Sequence, residues 1–271
     1  MDGSSNSILY ILIICFIAAL IISCLSSQSP ERKGKEGELD IVHIISKSIR
    51  RGLHGYILHN LYIPKKDGGT SEIDVLFICT KGVYVFESKN YAGWIFGDDR
   101  REYWTVTLPA GRNWLGFKQL EKHKFFNPIW QNNSHIGNLR NLIGRSVQIE
   151  SVIVFSNRSK LKKIANKSDT KIMQTDMLKY YLSSIGKKRQ DILTYREVDN
   201  LYNILKPHVD TDGEKKKQHM MYIRRLKSNP KRCPKCGGNL VLRTAKKGSN
   251  MGRQFFGCSN YPKCEFIKNI K

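Results

Sequence analysis

The chain has 271 residues, with 46 Lys and Arg against 23 Asp and Glu and a formal charge of +23 at pH 7. At this length, with 40% hydrophobic residues, it can bury one good-sized core plus smaller appendages, which excludes a wholly disordered chain. So large a positive excess points to a polyanionic partner, either nucleic acid or an anionic lipid surface.

Ile8 to Leu25 is uncharged and apolar, mildly interrupted by Tyr10, Cys15, Ser23 and Cys24. As a helix it would span roughly 27 Å, near the thickness of the hydrocarbon core. Asp2 precedes it, while Arg32, Lys33 and Lys35 follow. The positive-inside rule then predicts a single crossing that leaves the bulk of the protein on the cytoplasmic side of the cell membrane. A competing reading takes Ile21-Ile22-Ser23-Cys24 as a lipoprotein processing site, which would place the remainder outside; the missing positive n-region counts against a cleaved signal. Residues 1–34 are thus read as anchor and linker.

Gly37 to Ile49 carries Leu39, Ile41, Val42, Ile44 and Ile45 at helical spacing, with Glu36 and Glu38 near its start. Glu38 either projects into a site or caps a helix. Ile73, Val75 and Phe77 alternate with Asp74, Leu76 and Ile78; Thr80-Lys81-Gly82 reads as a turn, and Val83 to Lys89 as a second strand. In such a β-hairpin Glu87 and Lys89, at i and i+2, share a face, and the hairpin can bring Asp74 opposite them. Two carboxylates can hold a hard, oxygen-seeking cation such as magnesium, and Lys89 can orient a nucleophile or neutralise a transition state. The plainer reading is an edge hairpin with a solvated polar end.

A helix beginning near Pro128 places Gln131 and His135 on one face, although a His so placed is as often a satisfied surface residue. Ser151 to Phe155 is a continuous apolar run suited to a buried strand. Thr175 to Tyr181 and Thr194 to Leu205 read as helices completing the core over 157–209, the second with Thr194 as cap and Glu197 at N3. Residues 210–228, with a Lys triplet, read as a basic tether that Met220 to Leu226 extends as a helix.

Cys233-Pro-Lys-Cys236 and Cys258-Ser-Asn-Tyr-Pro-Lys-Cys264 form two cysteine pairs with the spacing of a structural zinc ribbon over 229–271. Four thiolates leave no open position on the metal, so this zinc would hold a fold and not catalyse. Two disulfides are the alternative, but no convincing secretory signal accompanies them. From Gly213 onward sixteen Lys and Arg face two acidic residues, interleaved with aromatic rings. Arg253, Phe255, Phe256, Tyr261 and Lys263 are therefore candidate contacts to single-stranded nucleic acid, phosphates meeting the charges and bases the rings. At least one of Phe255 and Phe256 is also a candidate for the ribbon's own small core. Charge and stacking do not separate DNA from RNA.

The last forty positions, through Phe255-Phe-Gly-Cys-Ser-Asn-Tyr-Pro-Lys-Cys264, resemble the C-terminal four-cysteine zinc finger of bacterial DNA topoisomerase I. That resemblance implies binding of single-stranded DNA. Residues 35–156 resemble the NERD, or nuclease-related, domain. The matching elements are Gly34-Lys-Glu-Gly-Glu38, Glu72-Ile-Asp-Val-Leu76, Lys81 to Tyr91 with Gly93, and Asn127-Pro-Ile-Trp-Gln131 with His135 and Leu139. This resemblance implies an α/β fold of the restriction-endonuclease-like PD-(D/E)xK type, a central mixed sheet flanked by helices. It further implies Asp74 and Glu87 as ligands for magnesium, or manganese in its place, and Lys89 as the catalytic lysine. Glu38 is implied as an additional acid and Gln131 as a polar member of the site. The family often has Thr or Val where Ser88 stands. The expected activity is a membrane-anchored, metal-dependent nuclease acting on single-stranded or branched DNA. The contrasting expectation is a non-cutting DNA-binding or membrane-tethering module on the same fold.

Overall fold

The computed structural model describes residues 30–112, 118–228, 231, 233, 238–262 and 264–270. The segment Ile8 to Leu25 lies outside the described residues, and among those described no helix is long and apolar enough to cross a membrane.

Helix α1 (Pro30–Ile49) leads into β1 (Gly55–Pro64), β2 (Thr70–Cys79) and β3 (Gly82–Lys89). The three strands form an antiparallel meander, and β7 (Ile149–Phe155) and β9 (Lys171–Gln174) then add in parallel, giving the order β1-β2-β3-β7-β9. Because β2, β3 and β7 are covered on both faces, they are apolar almost throughout rather than alternating. On one face Ile41 and Ile45 of α1 and Leu178, Leu182 and Ile185 of α3 (Thr175–Lys188) meet Val75, Phe77, Phe86 and Val154. On the other, Ile136 and Leu139 of α2 (Pro128–Ile143) and Val198, Leu201 and Leu205 of α4 (Tyr195–Leu205) meet Leu76, Ile78, Val83 and Val85. The expected capping box is present, with the Thr194 hydroxyl accepting from Glu197 N and the Glu197 carboxylate accepting from Thr194 N.

Between β3 and β7 the chain builds a second sheet. Its strands β4 (Gly93–Asp98), β5 (Tyr103–Arg112) and β6 (Lys118–Phe126) are joined by β8 (Ser159–Ala165) in the order β6-β5-β4-β8. Ile95, Trp104, Val106 and Phe125 on its inner face pack against Ile129 of α2 and Ile153 and Phe155 of β7.

Two expectations need correction. Residues 157–209 are not purely helical, since β8 and β9 precede the two helices; β8 is an edge strand with one wetted face, so its Lys-rich sequence hides the strand. Residues 210–228 are not a free tether. Asp210 accepts from the backbone N–H groups of Gly213, Lys215 and Lys216, starting α5 (Glu214–Ser228). This helix docks on the end of β2: the Tyr222 hydroxyl donates to Asp67, and its ring lies where a side chain at Gly69 would collide.

The C-terminal strands β10 (Leu240–Thr244), β11 (Gln254–Cys258) and β12 (Ile267–Asn269) form a small antiparallel sheet.

Candidate active site and cysteine cluster

The β2–β3 ladder runs from the Cys79–Gly82 pair as far as Val75 and Phe86, and there the strands part, β2 continuing against β1 and β3 against β7. The site occupies that parting. Asp74 lies just past the last pair, and its Oδ2 accepts the Ser88 backbone N–H at 2.8 Å, a donor left without a ladder partner on β2.

Glu87 and Lys89 project together toward α2. Lys89 Nζ donates to Glu87 Oε1 at 2.5 Å and to Gln131 Oε1 at 3.1 Å. Glu87 is 1% exposed, and its Oε2 forms no hydrogen bond among the described residues; His135 Nε2 stands 3.5 Å away. His135 Nδ1 lies 2.7 Å from Ser71 Oγ. The helix starts where it does because Asn127, fully buried, accepts from Ile129 N and donates to three backbone carbonyls of the β4–β5 turn, those of Asp98, Asp99 and Arg101. That cap fixes the face on which Gln131 and His135 sit.

Glu38 arrives from the opposite face. Because α1 begins at Pro30, Glu38 lies well inside the helix, and the capping alternative falls away. Gly37 lets α1 approach closely: a side chain there would meet Ser88 Oγ at 2.6 Å and Asn90 at 3.2 Å. Ser88 therefore faces α1, away from Glu87 and Lys89.

Too many acids share this space. Burial, then the neighbouring charges of Glu72 and Glu87, push the Glu38 carboxyl up to about 7. Burial, reinforced by Glu87, holds Asp74 well above the ordinary carboxylate range. Burial also pushes Glu87 upward, but the Lys89 ammonium and His135 overcome it and leave Glu87 below its usual value. Burial would lower Lys89, yet Glu87 and Asp74 raise it, so the pair is ionised. The site thus has three carboxyl groups against one firmly held ammonium.

A hard divalent cation fits this deficit. The donors are oxygens, one buried carboxylate oxygen makes no hydrogen bond among the described residues, and two carboxyls carry raised affinities for a proton that a cation would displace. The three carboxylates do not close to within 4.8 Å of one another as a ready-made triad, whereas the ribbon cysteines do. Asp74, Gln131 and His135 line a cleft of about 750 Å³, together with Glu72, Phe126 and Trp130.

Sequence reasoning missed Glu72, Ser71 and His219. Glu72 accepts from the Tyr62 hydroxyl at 2.7 Å, and His219 of α5 lies 3.8 Å from its other oxygen and 2.8 Å from Thr70 Oγ1. The signal for Glu72 was its position two residues before Asp74, hence on the same strand face.

In the ribbon Cys233, Cys258 and Cys264 are buried with their sulfurs within 4.8 Å of one another, Cys233 and Cys264 at 3.7 Å. Thiols this close without disulfides support a structural zinc. The expected fourth ligand, Cys236, and the candidate contact Lys263 lie outside the described residues. Tyr261 is 60% exposed, with the Arg243 guanidinium 5.6 Å from its ring centre; Arg253 is exposed, and Phe255 and Phe256 are both half-buried. Arg243, anchored on Cys258 O, was not singled out from the sequence because its place beside Tyr261 depends on the β10–β11 register.

Comparison with known proteins agrees with this division. The nuclease-related domain family matches residues 33–156, and the topoisomerase DNA-binding C4 zinc finger family matches 231–271. An uncharacterized protein of Bacillus anthracis is 30% identical over 219 residues, covering 80% of this chain and 95% of its own. The uncharacterized protein YrdD of Escherichia coli is 44% identical over 43 residues, 16% of this chain and 21% of its own. DNA topoisomerase 1 of Archaeoglobus fulgidus is 54% identical over 35 residues, 13% of this chain and only 5% of that enzyme, so the likeness is to the ribbon alone. No solved structure matches the chain. The chain belongs to one family with the Bacillus anthracis protein, carries a nuclease-related domain over residues 33–156 and ends in a topoisomerase-type C4 zinc ribbon.

Proposed function

We propose that this protein is a metal-dependent nuclease of the PD-(D/E)xK type that hydrolyses DNA phosphodiester bonds at the parting of β2 and β3. The observation that carries the reading is the buried Glu87–Lys89–Gln131 chain beside Asp74, with Asp74 and Gln131 lining a cleft and Glu87 Oε2 making no hydrogen bond among the described residues, His135 Nε2 standing 3.5 Å from it. Asp74 and Glu87 would hold magnesium, or manganese in its place, with Glu38 as a further acid. Such a cation supplies charge stabilisation at the phosphate and lowers the pKa of a bound water.

The protein's own groups then have separate tasks. Lys89 keeps its proton because two carboxylates face it, so it serves as a fixed cation that orients a water or balances charge developing on the phosphate. Gln131 holds the ammonium from the α2 side, and Glu87 holds it from below. Glu38, whose carboxyl is pushed up by burial and by Glu72 and Glu87, would release its proton when a cation is held beside it. The ribbon would recruit single-stranded or branched DNA through Arg253, Phe255, Phe256, Tyr261 and Lys263, with Arg243 added. Ile8 to Leu25 would anchor the chain in the cell membrane, with the rest in the cytoplasm.

A second reading, a non-cutting DNA-binding or membrane-tethering module, draws on the lack of a carboxylate triad within 4.8 Å among the described residues. Cleavage of single-stranded, duplex and branched DNA by the full chain in detergent, with magnesium or manganese, separates the two. We expect metal-dependent cleavage that falls by about 10²–10⁴-fold in Lys89→Ala. Equal inertness of wild type and variant on every substrate would sink the nuclease reading.

A further inference from the structure

The second sheet has an outer face that leads into the cleft. Residues paired across a sheet share a face, so the rows Trp94, Thr107, Lys122 and Phe96, Thr105, Lys124 stand on one surface, Thr107 itself being buried, with Lys160 and Lys163 of β8 beside Trp94 and Phe96. The alternate residues Ile95, Val106 and Phe125 belong to the core. Trp94 is 42% exposed, and Lys162 lies over its ring at 5.4 Å.

All five of these lysines are exposed, and none forms an ion pair with a carboxylate among the described residues. An ordinary solvated sheet face mixes signs. Here Asp98, the one acid of β4, is engaged by Arg100 and Arg101, and Glu121 of β6 falls on the opposite parity and pairs with His123. Four residues along from the Trp94 row, about 13 Å, the last β5–β6 pair joins Tyr103, 52% exposed, to Phe126. Their rings meet edge-on at 6.2 Å, Phe126 meets Trp130 at 6.3 Å, and Phe126 and Trp130 line the same cleft as Asp74 and Gln131.

We propose that this face is the approach path for a single strand of nucleic acid, its phosphates on Lys122, Lys124, Lys160 and Lys162 and its bases on Trp94 and Tyr103. The assignment of the cleft as its destination rests on the nuclease reading above. Rings can stack only on unpaired bases, which sets a single strand apart from a duplex. An anionic membrane would meet the same lysines, but it gains nothing from an aromatic path that ends among carboxylates.

The test is fluorescence anisotropy of the full chain in detergent with labelled oligo-dT, oligo-rU and a blunt duplex, without added magnesium or manganese, so that binding is read apart from cleavage. Lys122→Ala, Lys124→Ala, Lys160→Ala and Lys162→Ala combined should lower the slope of log affinity against log salt by about 0.7 per lost contact. Trp94→Ala should weaken single-strand binding by roughly tenfold, with Trp94→Phe restoring most of it and duplex binding little changed. Unaltered affinity and salt slope in the quadruple variant would overturn the proposal. So would loss of binding to anionic vesicles while oligonucleotide binding stays intact, or an equal effect of Trp94→Ala on duplex and single strand. Whichever strand, dT or rU, shows the loss identifies the sugar preferred. An inert centre leaves these readings untouched, because it fails only in the cleavage assay.

Discussion

The cleft and the ribbon hold their polar groups in opposite ways. Around Asp74 and Glu87 a packed sheet and two helices force charges together that would repel, and the raised proton affinities of Glu38 and Asp74 record what that costs. In the ribbon, three short strands carry little apolar core: among the described residues, only Leu240 and Phe266 pack beside the buried cysteines. There the metal site holds the fold, whereas in the cleft the fold holds the site.

The largest expected effect follows in the ribbon. Cys258→Ser should abolish zinc stoichiometry, measured by metal analysis, and remove most of a binding free energy on the order of 10 kcal/mol. The ribbon strands should then lose their amide-exchange protection while β2, β3 and β7 keep theirs. Loss of protection in both regions would break the contrast.

Next comes Lys89. Lys89→Ala leaves Glu87 buried without its cation and should destabilise the core domain by about 3–5 kcal/mol in urea unfolding. Replacing both members together, as Lys89→Met with Glu87→Leu, should recover much of that loss, because an apolar pair carries no desolvation penalty. Failure of the double variant to recover would mean that the ion pair itself stabilises the core.

The two regions should also respond to pH with opposite signs. Glu38 titrates near 4.5 when unfolded and at about 7 when folded, so between those values the folded chain binds more protons than the unfolded one. Core stability in magnesium-free buffer should therefore fall as pH rises from 5 to 7.5, with Asp74 acting in the same direction. Added magnesium should flatten that slope. Zinc binding by thiolates releases protons, so the ribbon should gain stability over the same range. Melting curves of the two regions with parallel slopes would contradict this.

The smallest effect is at Asn127. Asn127→Ala removes the cap of α2 and three contacts to the β4–β5 turn, and should cost about 2 kcal/mol. If cleavage falls further than stability, the cap is aiming Gln131 and His135 as well as starting the helix.

The cleft was largely legible in the sequence because alternation along β2 and β3 is a local signal: it placed Glu87 and Lys89 on one face and Asp74 across from them. His135 was less so, since whether it meets water or Glu87 depends on the angle at which α2 crosses the sheet. The second sheet was not read at all. Its strands β6 and β8 are lysine-rich edges, and their inner faces acquire a core only by packing on β7 and α2. The sequence shows a helix over Met220 to Leu226 but not the docking of α5, because its charge outweighs the few residues, His219 and Tyr222 among them, that hold it against the core. In the ribbon the cysteine spacing was enough, because ligand chemistry needs little else to be recognised.

The parallel pairing of β3 with β7 has a kinetic consequence. It joins Val83 to Ile149 and Lys89 to Phe155, and three of the second sheet's four strands and α2 lie between them in the chain. Loop closure over so long a segment is slow, and α2 must be in place before Gln131 can reach Lys89. During synthesis or refolding the β1–β3 meander can form early, with its carboxylates already side by side, but the clamp on the lysine is completed late. An incompletely folded chain therefore lacks the Lys89–Gln131 contact until its core has closed.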